Sequence, residues 1–458
     1  MFAAARPGLS SSSLAFGLLA TALVLTPVRI IEARTVTAKS EDGLNEWGYV
    51  DVRNGVSLFW RLYRSTHSDG YKNRPLIMWI QGGPGQAATA VGDRMEIGPL
   101  DVDGNARPTT WVKQANVLFV DSPAGVGFSY VTGNVPPPST DAVATNDLHK
   151  FLIYLFNNGE LREFQDTALY IFGESYGGKF APQLAKKLLS EGRVRCNLKR
   201  VVLMSPWTSP IDNLVNYGKK LHQCGTIDDR TRVDVDGNTS MIQAYANAGR
   251  YDLAWHDFTT KLNIKNVKTL YNCVSGSKDI DSAIYEKLTE EFNSEDFRRK
   301  LEIIPDHVKF ISAKKQTFIS FKQDGLRPAV KEVQYLLKKG VNVTVMVGQL
   351  DIIVNTIGTE RWVYNMEWAG QLGFREAERK SLYRRDDEWN PVAYQKRYQN
   401  FDFFWIVGSG HMIPRDVPET AYSLMKHMLS ANAGYSKESP AVLIAILLLV
   451  NVIKLSID

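Results

Sequence analysis

Three cysteines in 458 residues, Cys196, Cys224 and Cys273, are too few for a disulfide scaffold and allow at most one internal bridge. The seven histidines are scattered, and with so few cysteines they make no metal-ligand spacing; neither a metal nor any other cofactor is called for. A dominant charge is missing too. The 54 basic and 49 acidic residues leave a net +5, mixed along the chain, which excludes a nucleic-acid face. Arg384-Arg385-Asp386-Asp387-Glu388 sets both signs side by side and reads as a solvated loop. There is no internal repeat, and the one low-complexity spot, Val135-Pro136-Pro137-Pro138-Ser139, reads as a loop before a helix.

No apolar run reaches the roughly 20 residues of a spanning helix. The run over 14–25 follows Arg6 and precedes the small residues Ala33 and Ala38, so 1–33 reads as a secretory signal peptide cleaved after Ala33. The other run, 441–450, follows a small, polar stretch and has ingredients of a GPI-anchor signal, although its spacer is short and the chain ends in polar residues. A membrane-associated tail or a dispensable extension fits 431–458 as well.

What remains, 34–430, is rich enough for a sizeable core: the chain is 44% hydrophobic and 11% aromatic. Strand patterns fall at 49–53, 58–63, 76–80, 117–120, 169–172 and 201–204, and helical patterns at 141–157, 180–189 and 418–429. That alternation predicts an α/β fold. Between about 211 and 335 the pattern turns charged and helical, which reads as an insertion over the sheet.

Gly173-Glu174-Ser175-Tyr176-Gly177 carries the chemistry. It follows the apolar run Ala168-Leu169-Tyr170-Ile171-Phe172 and precedes a helical stretch, so it is a strand, a G-x-S-x-G turn and a helix. Such a turn is tight and strained and holds the serine hydroxyl out at the sheet edge. An ordinary βα turn could hold an incidental serine, but here an acid and a base follow in the order Ser, Asp, His. The β-branched strand 342–347 ends in Gly348-Gln349-Leu350-Asp351, and the strand 401–407 ends in Gly408-Ser409-Gly410-His411. His149 and His427 sit in helical patterns, and His67, His222, His256 and His307 in polar or undefined segments. Only His411 follows a strand in a glycine-rich loop. His411 would take the Ser175 proton, and Asp351 would fix the imidazole tautomer. The oxyanion would be met by the amides of Tyr176 and of Gly83, the latter in Trp79-Ile80-Gln81-Gly82-Gly83-Pro84-Gly85.

Five blocks in order resemble those of the serine carboxypeptidases: 79–85 (W-L-N-G-G-P-G), Glu96-Ile97-Gly98-Pro99, 121–130 (D-x-P-x-G-x-G-F-S-Y), 173–178 (G-E-S-Y-x-G) and Gly410-His411-Met412-Ile413-Pro414. The resemblance covers about 47–430. It implies an α/β-hydrolase fold, a central, mostly parallel sheet under a largely helical lid, and release of C-terminal residues from peptide or protein C-termini. It also implies that Glu174 and Gln81 bind the substrate's terminal carboxylate, supported by Glu96. A carboxyl can donate to a carboxylate only when protonated, which makes that recognition a property of acid pH. Gln81 stands in place of the usual Asn, Gln86 where many relatives have Cys, and Ser205-Pro206-Trp207 where a glycine-rich block is common.

Within the insertion we expect a Cys224–Cys273 bridge. The sequons at Asn238 and Asn342 suit a secretory route. Together with acid-dependent recognition they point to secretion or a lysosome-like compartment. Two other classes share these motifs: an acyltransferase or esterase using the same triad with an alcohol acceptor, and a non-catalytic binding protein on a hydrolase scaffold.

Overall fold

The structure, a computed structural model, describes residues 35–262, 272–273, 278–384 and 387–430. The signal-peptide and C-terminal-tail expectations lie outside the described residues. Among the described residues no helix is long and apolar enough to cross a membrane.

The described residues build one twelve-stranded sheet. Its strands are β1 (Thr35–Lys39), β2 (Asn45–Arg53), β3 (Val56–Tyr63), β4 (Leu76–Ile80), β5 (Asn116–Val120), β6 (Tyr130–Val131), β7 (Ala168–Glu174), β8 (Asn197–Met204), β9 (Asn342–Gly348), β10 (Arg379–Arg384), β11 (Asp387–Tyr398) and β12 (Phe401–Ile406). The order is β1-β2-β3-β5-β4-β7-β8-β9-β12-β11-β10, with β6 on β3. The run from β5 to β12 is parallel, and antiparallel strands close both flanks. Parallel strands are covered on both faces, so β4 reads as an unbroken apolar run, β5 and β12 are apolar but for Asn116 and Asp402, and every residue in the three is buried.

One face of the sheet carries α1 (Asp141–Asn157) and α2 (Gly177–Glu191). Thr140 caps α1: its hydroxyl accepts the Val143 amide at 3.3 Å, and Phe151, Leu152 and Leu155 pack inward. Between β8 and β9 the elements of the described chain are helices: α3 (Pro210–Leu214), α4 (Tyr217–Gln223), α5 (Asp229–Asn247), α6 (Tyr251–Lys261), α7 (Lys278–Asn293), α8 (Glu295–Leu301), α9 (Lys315–Ser320) and α10 (Val330–Lys338). Phe292 and Phe310 pack against Phe128 beside the sheet, with ring centroids 6.2 and 4.6 Å away, and Arg94 pairs with Glu291 at 2.7 Å. After β9 come α11 (Thr356–Asn365), α12 (Gln371–Glu376) and, past β12, α13 (Ile413–Asp416) and α14 (Pro418–Ser430). Ala421, Leu424, Met425 and Met428 of α14 bury the second face of the sheet.

Cys224 and Cys273 are disulfide-bonded, as expected, and Cys196 is free. Two sequence readings need revision. Arg384 ends β10 and Asp387 opens β11, so the mixed-charge stretch expected as a loop belongs to the ends of a hairpin; 385–386 lie outside the described residues. The nucleophile helix starts at Gly177 and not Phe180, because the turn feeds it directly.

Candidate active site

Each predicted catalytic, oxyanion or carboxylate-binding residue except Glu96 stands at, or just past, the C-terminal end of a parallel strand, the edge where open α/β sheets hold their ligands. The turn after β7 is shaped by what surrounds it. Ser175 takes φ 55°, a left-handed conformation that costs a non-glycine residue about 1–2 kcal/mol. The neighbouring loop after β8 holds it there: the Ser175 amide donates to Met204 O at 3.0 Å, and the Trp207 amide donates to Ser175 O at 2.8 Å. The glycines are needed for close approach. A Cβ on Gly173 would stand 2.3 Å from Gly177 O, and one on Gly177 2.2 Å from Ile80 O. Pro182 inside α2 has no N–H for the Gly178 carbonyl, which accepts the Thr208 hydroxyl at 2.7 Å instead.

Asp351 and His411 meet as expected. Nδ1 of His411 is 2.8 Å from Oδ2 of Asp351, and both residues are buried. Oδ1 of Asp351 accepts the Val354 amide at 3.0 Å, which fixes the carboxylate plane. Burial alone would lower the His411 imidazole; the carboxylates of Asp351, Glu174 and Asp416 outweigh it, and the net shift is upward. His411 and Ser175 line one cavity of about 170 Å³, together with Gln81, Gly83 and Glu174.

The two expected oxyanion donors also come together. A Cβ on Gly82 would lie 2.5 Å from Ser175 Cβ and 2.9 Å from the Tyr176 nitrogen, so the loop after β4 touches the nucleophile turn. Among the described residues, neither the Gly83 nor the Tyr176 amide donates to a protein acceptor.

Gln81, Glu174 and Glu96 form one buried chain. The Trp79 indole donates to Gln81 Oε1 at 2.6 Å, and Gln81 Nε2 donates to Glu174 Oε2 at 3.1 Å. Because indole is a donor only, it fixes which way the amide points and reins in the methylene by which Gln exceeds Asn. Glu96 comes from a wide helical turn, Val91–Ile97, that follows the Gly83 loop. Burial raises its carboxyl well above the ordinary range, and the adjacent Glu174 carboxyl adds to this; burial raises Glu174 as well, though less. Among the described residues no N–H or O–H other than a carboxyl proton reaches the Glu96 oxygens. A hydrogen bond between the two carboxyls therefore needs a proton on one of them, and burial favours keeping it.

The rest of the cavity wall was not legible in the sequence. Trp207, Phe258, Phe318, Ile353 and Met412 give it an apolar side. Trp207 sits in the segment flagged as a departure, one turn past β8, and that position was its available signal. Phe258 and Phe318 come from α6 and α9, and only the path of the insertion places them. Gln86, at the flagged Cys position, donates to the Tyr285 hydroxyl at 2.9 Å and ties the loop to α7. Asn238 falls within α5 and Asn342 opens β9, each half-buried. A wider cleft of about 810 Å³ lies at the opposite ends of the strands, around Pro75, Ala168 and Lys199; none of the predicted site residues lines it.

A family model described as serine carboxypeptidase matches residues 37–431. The chain is 33% identical over 417 residues to human retinoid-inducible serine carboxypeptidase, covering 84% of this chain and 92% of that protein. It is 26% identical over 428 residues to carboxypeptidase Y of Candida albicans, covering 85% of this chain and 73% of that protein. Among solved structures, the prohormone-processing carboxypeptidase Kex1 from Saccharomyces cerevisiae superposes with a TM-score of 0.71 at 19% identity, over 85% of this chain and 91% of that one.

Proposed function

We propose, from the premise that this chain belongs to the serine carboxypeptidase family, that Ser175, His411 and Asp351 are the triad with which it cleaves C-terminal residues from peptides. The enzyme is a serine-type carboxypeptidase, a hydrolase. The observation that carries the assignment is the His411–Asp351 contact of 2.8 Å opening on the cavity that Ser175 also lines.

The Ser175 oxygen attacks the last peptide carbonyl while Nε2 of His411 takes the hydroxyl proton. Asp351 accepts from Nδ1–H and stabilises the imidazolium. The carbonyl oxygen becomes an oxyanion facing the Gly83 and Tyr176 amides. Collapse breaks the C–N bond, and His411 returns the proton to the departing amine of the terminal residue. Water, deprotonated by His411, then attacks the Ser175 ester; the peptide leaves one residue shorter and Ser175 recovers its proton.

Gln81 and Glu174, backed by Glu96, supply the exopeptidase restriction. The second N–H of the Gln81 amide, and the pair's shared proton when it sits on Glu174, can both be donated to a terminal carboxylate. If the carboxyl pair loses its shared proton, three negative charges crowd one buried site. Cleavage of free-ended peptides thus needs His411 neutral and the pair protonated, so loss of the pair's proton sets the alkaline limb. The apolar wall of Trp207, Phe258 and Phe318 favours a bulky apolar side chain next to the scissile bond. A disulfide persists in oxidising compartments, and with the expected leader peptide and sequons it supports a secretory route ending in secretion or a lysosome-like compartment.

The test pairs a variant with a substrate change. Ser175→Ala is expected to lower turnover by several orders of magnitude and to abolish labelling by a serine-directed fluorophosphonate, with the fold intact. Amidating the peptide C-terminus should remove most activity and the alkaline limb. Near wild-type peptidase activity in Ser175→Ala ends the triad assignment. Equal rates on free and amidated peptides at every pH end the carboxylate clamp.

A further inference from the structure

The acid and the base sit on different loops, after β9 and after β12, and their 2.8 Å contact survives only if both loops hold still. Part of that hold is local. The Leu350 amide donates to Ser409 O at 2.8 Å, and a Cβ on Gly348 would lie 2.1 Å from Gly410 O, so the loops touch backbone to backbone.

The rest comes from the insertion, at the disulfide. The Cys273 amide donates to Leu350 O at 2.9 Å, one residue before Asp351. Nδ2 of Asn272, the preceding residue, donates to Asp416 Oδ2 at 3.2 Å. That same oxygen accepts the Gly410 amide at 2.6 Å, one residue before His411. At the other end of the disulfide, Cys224 follows α4, whose Lys220 donates through Nζ to Gln349 O at 2.5 Å. Asn272 and Lys220 are both buried. One covalent link thus joins two segments that contact the acid loop at consecutive carbonyls, and one of them also contacts the base loop.

We propose that Asn272, held by the Cys224–Cys273 disulfide, is a positioning residue that fixes the His411 loop against the Asp351 loop, so that this disulfide controls turnover as well as stability. The inference rests on the triad assignment above. Its physical basis is the tolerance of general-base catalysis to misplacement: a shift of about 1 Å can cost roughly 100-fold in rate. Substrate contacts the cavity wall and not the clamp, so the loss belongs in kcat and not in KM.

The experiment uses the full chain with four variants: Asn272→Ala, Asn272→Gln, the Cys224→Ser/Cys273→Ser pair, and Ser175→Ala as control. Rates on an N-blocked dipeptide with a free C-terminus are divided by the concentration of sites titrated with fluorophosphonate, and melting temperatures are measured alongside. Asn272→Ala is expected to lower kcat per titrated site about tenfold with KM within twofold, the size of losing one hydrogen bond to a charged acceptor. Asn272→Gln, which keeps an amide donor, should recover part of that loss. The double-serine variant, or wild type after mild reduction, should lose at least as much. The clamp is overturned if Asn272→Ala keeps wild-type kcat per titrated site. It is equally overturned if all loss appears as fewer titratable sites. Wild-type activity in Ser175→Ala overturns the underlying triad instead, so the two failures are distinct.

Discussion

Gly82 offers a sharp test of how the site is assembled, because a single methyl group there strikes the nucleophile turn. In Gly82→Ala the new Cβ would stand 2.5 Å from Ser175 Cβ, 2.9 Å from Glu174 O and 2.9 Å from the Tyr176 nitrogen. Ordinary contact starts at 3.4 Å, so the closest approach is about 0.9 Å too short. Two of the three neighbours are backbone atoms, and Ser175 is tied to Met204 and Trp207 through its own amide and carbonyl, so no flexible side-chain end is available to yield. The loop after β4 must retreat instead, and it carries the proposed Gly83 donor. Overpacking of this kind costs about 1–3 kcal/mol of stability. The catalytic cost is larger in proportion: displacing the oxyanion donor by about 1 Å is expected to lower kcat/KM roughly 100-fold, about 2.7 kcal/mol of transition-state stabilisation. The assay is steady-state hydrolysis of a free-ended dipeptide per fluorophosphonate-titrated site, with a thermal melt. Gly237→Ala is the control. Gly237 is an exposed residue of α5 where an added Cβ would have nothing within 4 Å, so alanine there should raise helix stability by up to about 1 kcal/mol and leave kcat/KM alone. A Gly82→Ala enzyme within threefold of wild type would refute the claim that this loop's approach to Ser175 is needed for the reaction.

Glu96→Gln tests the shared proton through stability. The Glu96 carboxyl is raised in the folded protein, so its contribution is fully present below the ordinary value of 4.5 and is lost as pH rises toward its folded value. Each pH unit in that window costs the folded state about 1.4 kcal/mol. Glutamine keeps a donor for Glu174 and does not titrate, so the variant's melting temperature should gain on wild type between pH 4.5 and 7.5; a difference that does not change with pH contradicts the protonated pair. Phe258→Ala opens the apolar wall from the insertion side and should lower kcat/KM for substrates with bulky apolar residues at the scissile bond about tenfold relative to small ones, measured by competition in a peptide mixture. An unchanged preference order would remove Phe258 from the substrate pocket.

The sequence alone determined the local pieces whose geometry is set by near neighbours. The β7–turn–α2 unit around Ser175 was legible because a left-handed serine between close-packed glycines has few sequence solutions. The strands before Asp351 and His411 were legible because buried parallel strands concentrate β-branched and aromatic residues. Chain order then named the partners without locating them. What the tertiary structure decided is every relation between separate loops. It set the direction of the Gln81 amide, which depends on the Trp79 indole, and the pairing of Glu174 with Glu96, whose helical turn is buried beside it. It set the apolar wall, since Phe258 and Phe318 reach the cavity only by the path of α6 and α9. It also made a structural-looking disulfide a neighbour of both catalytic loops. The physical reason is that hydrophobic periodicity and turn chemistry act over a few residues, whereas a pocket wall or a shared proton is fixed by packing between segments far apart in the chain, and no pattern within either segment encodes the other.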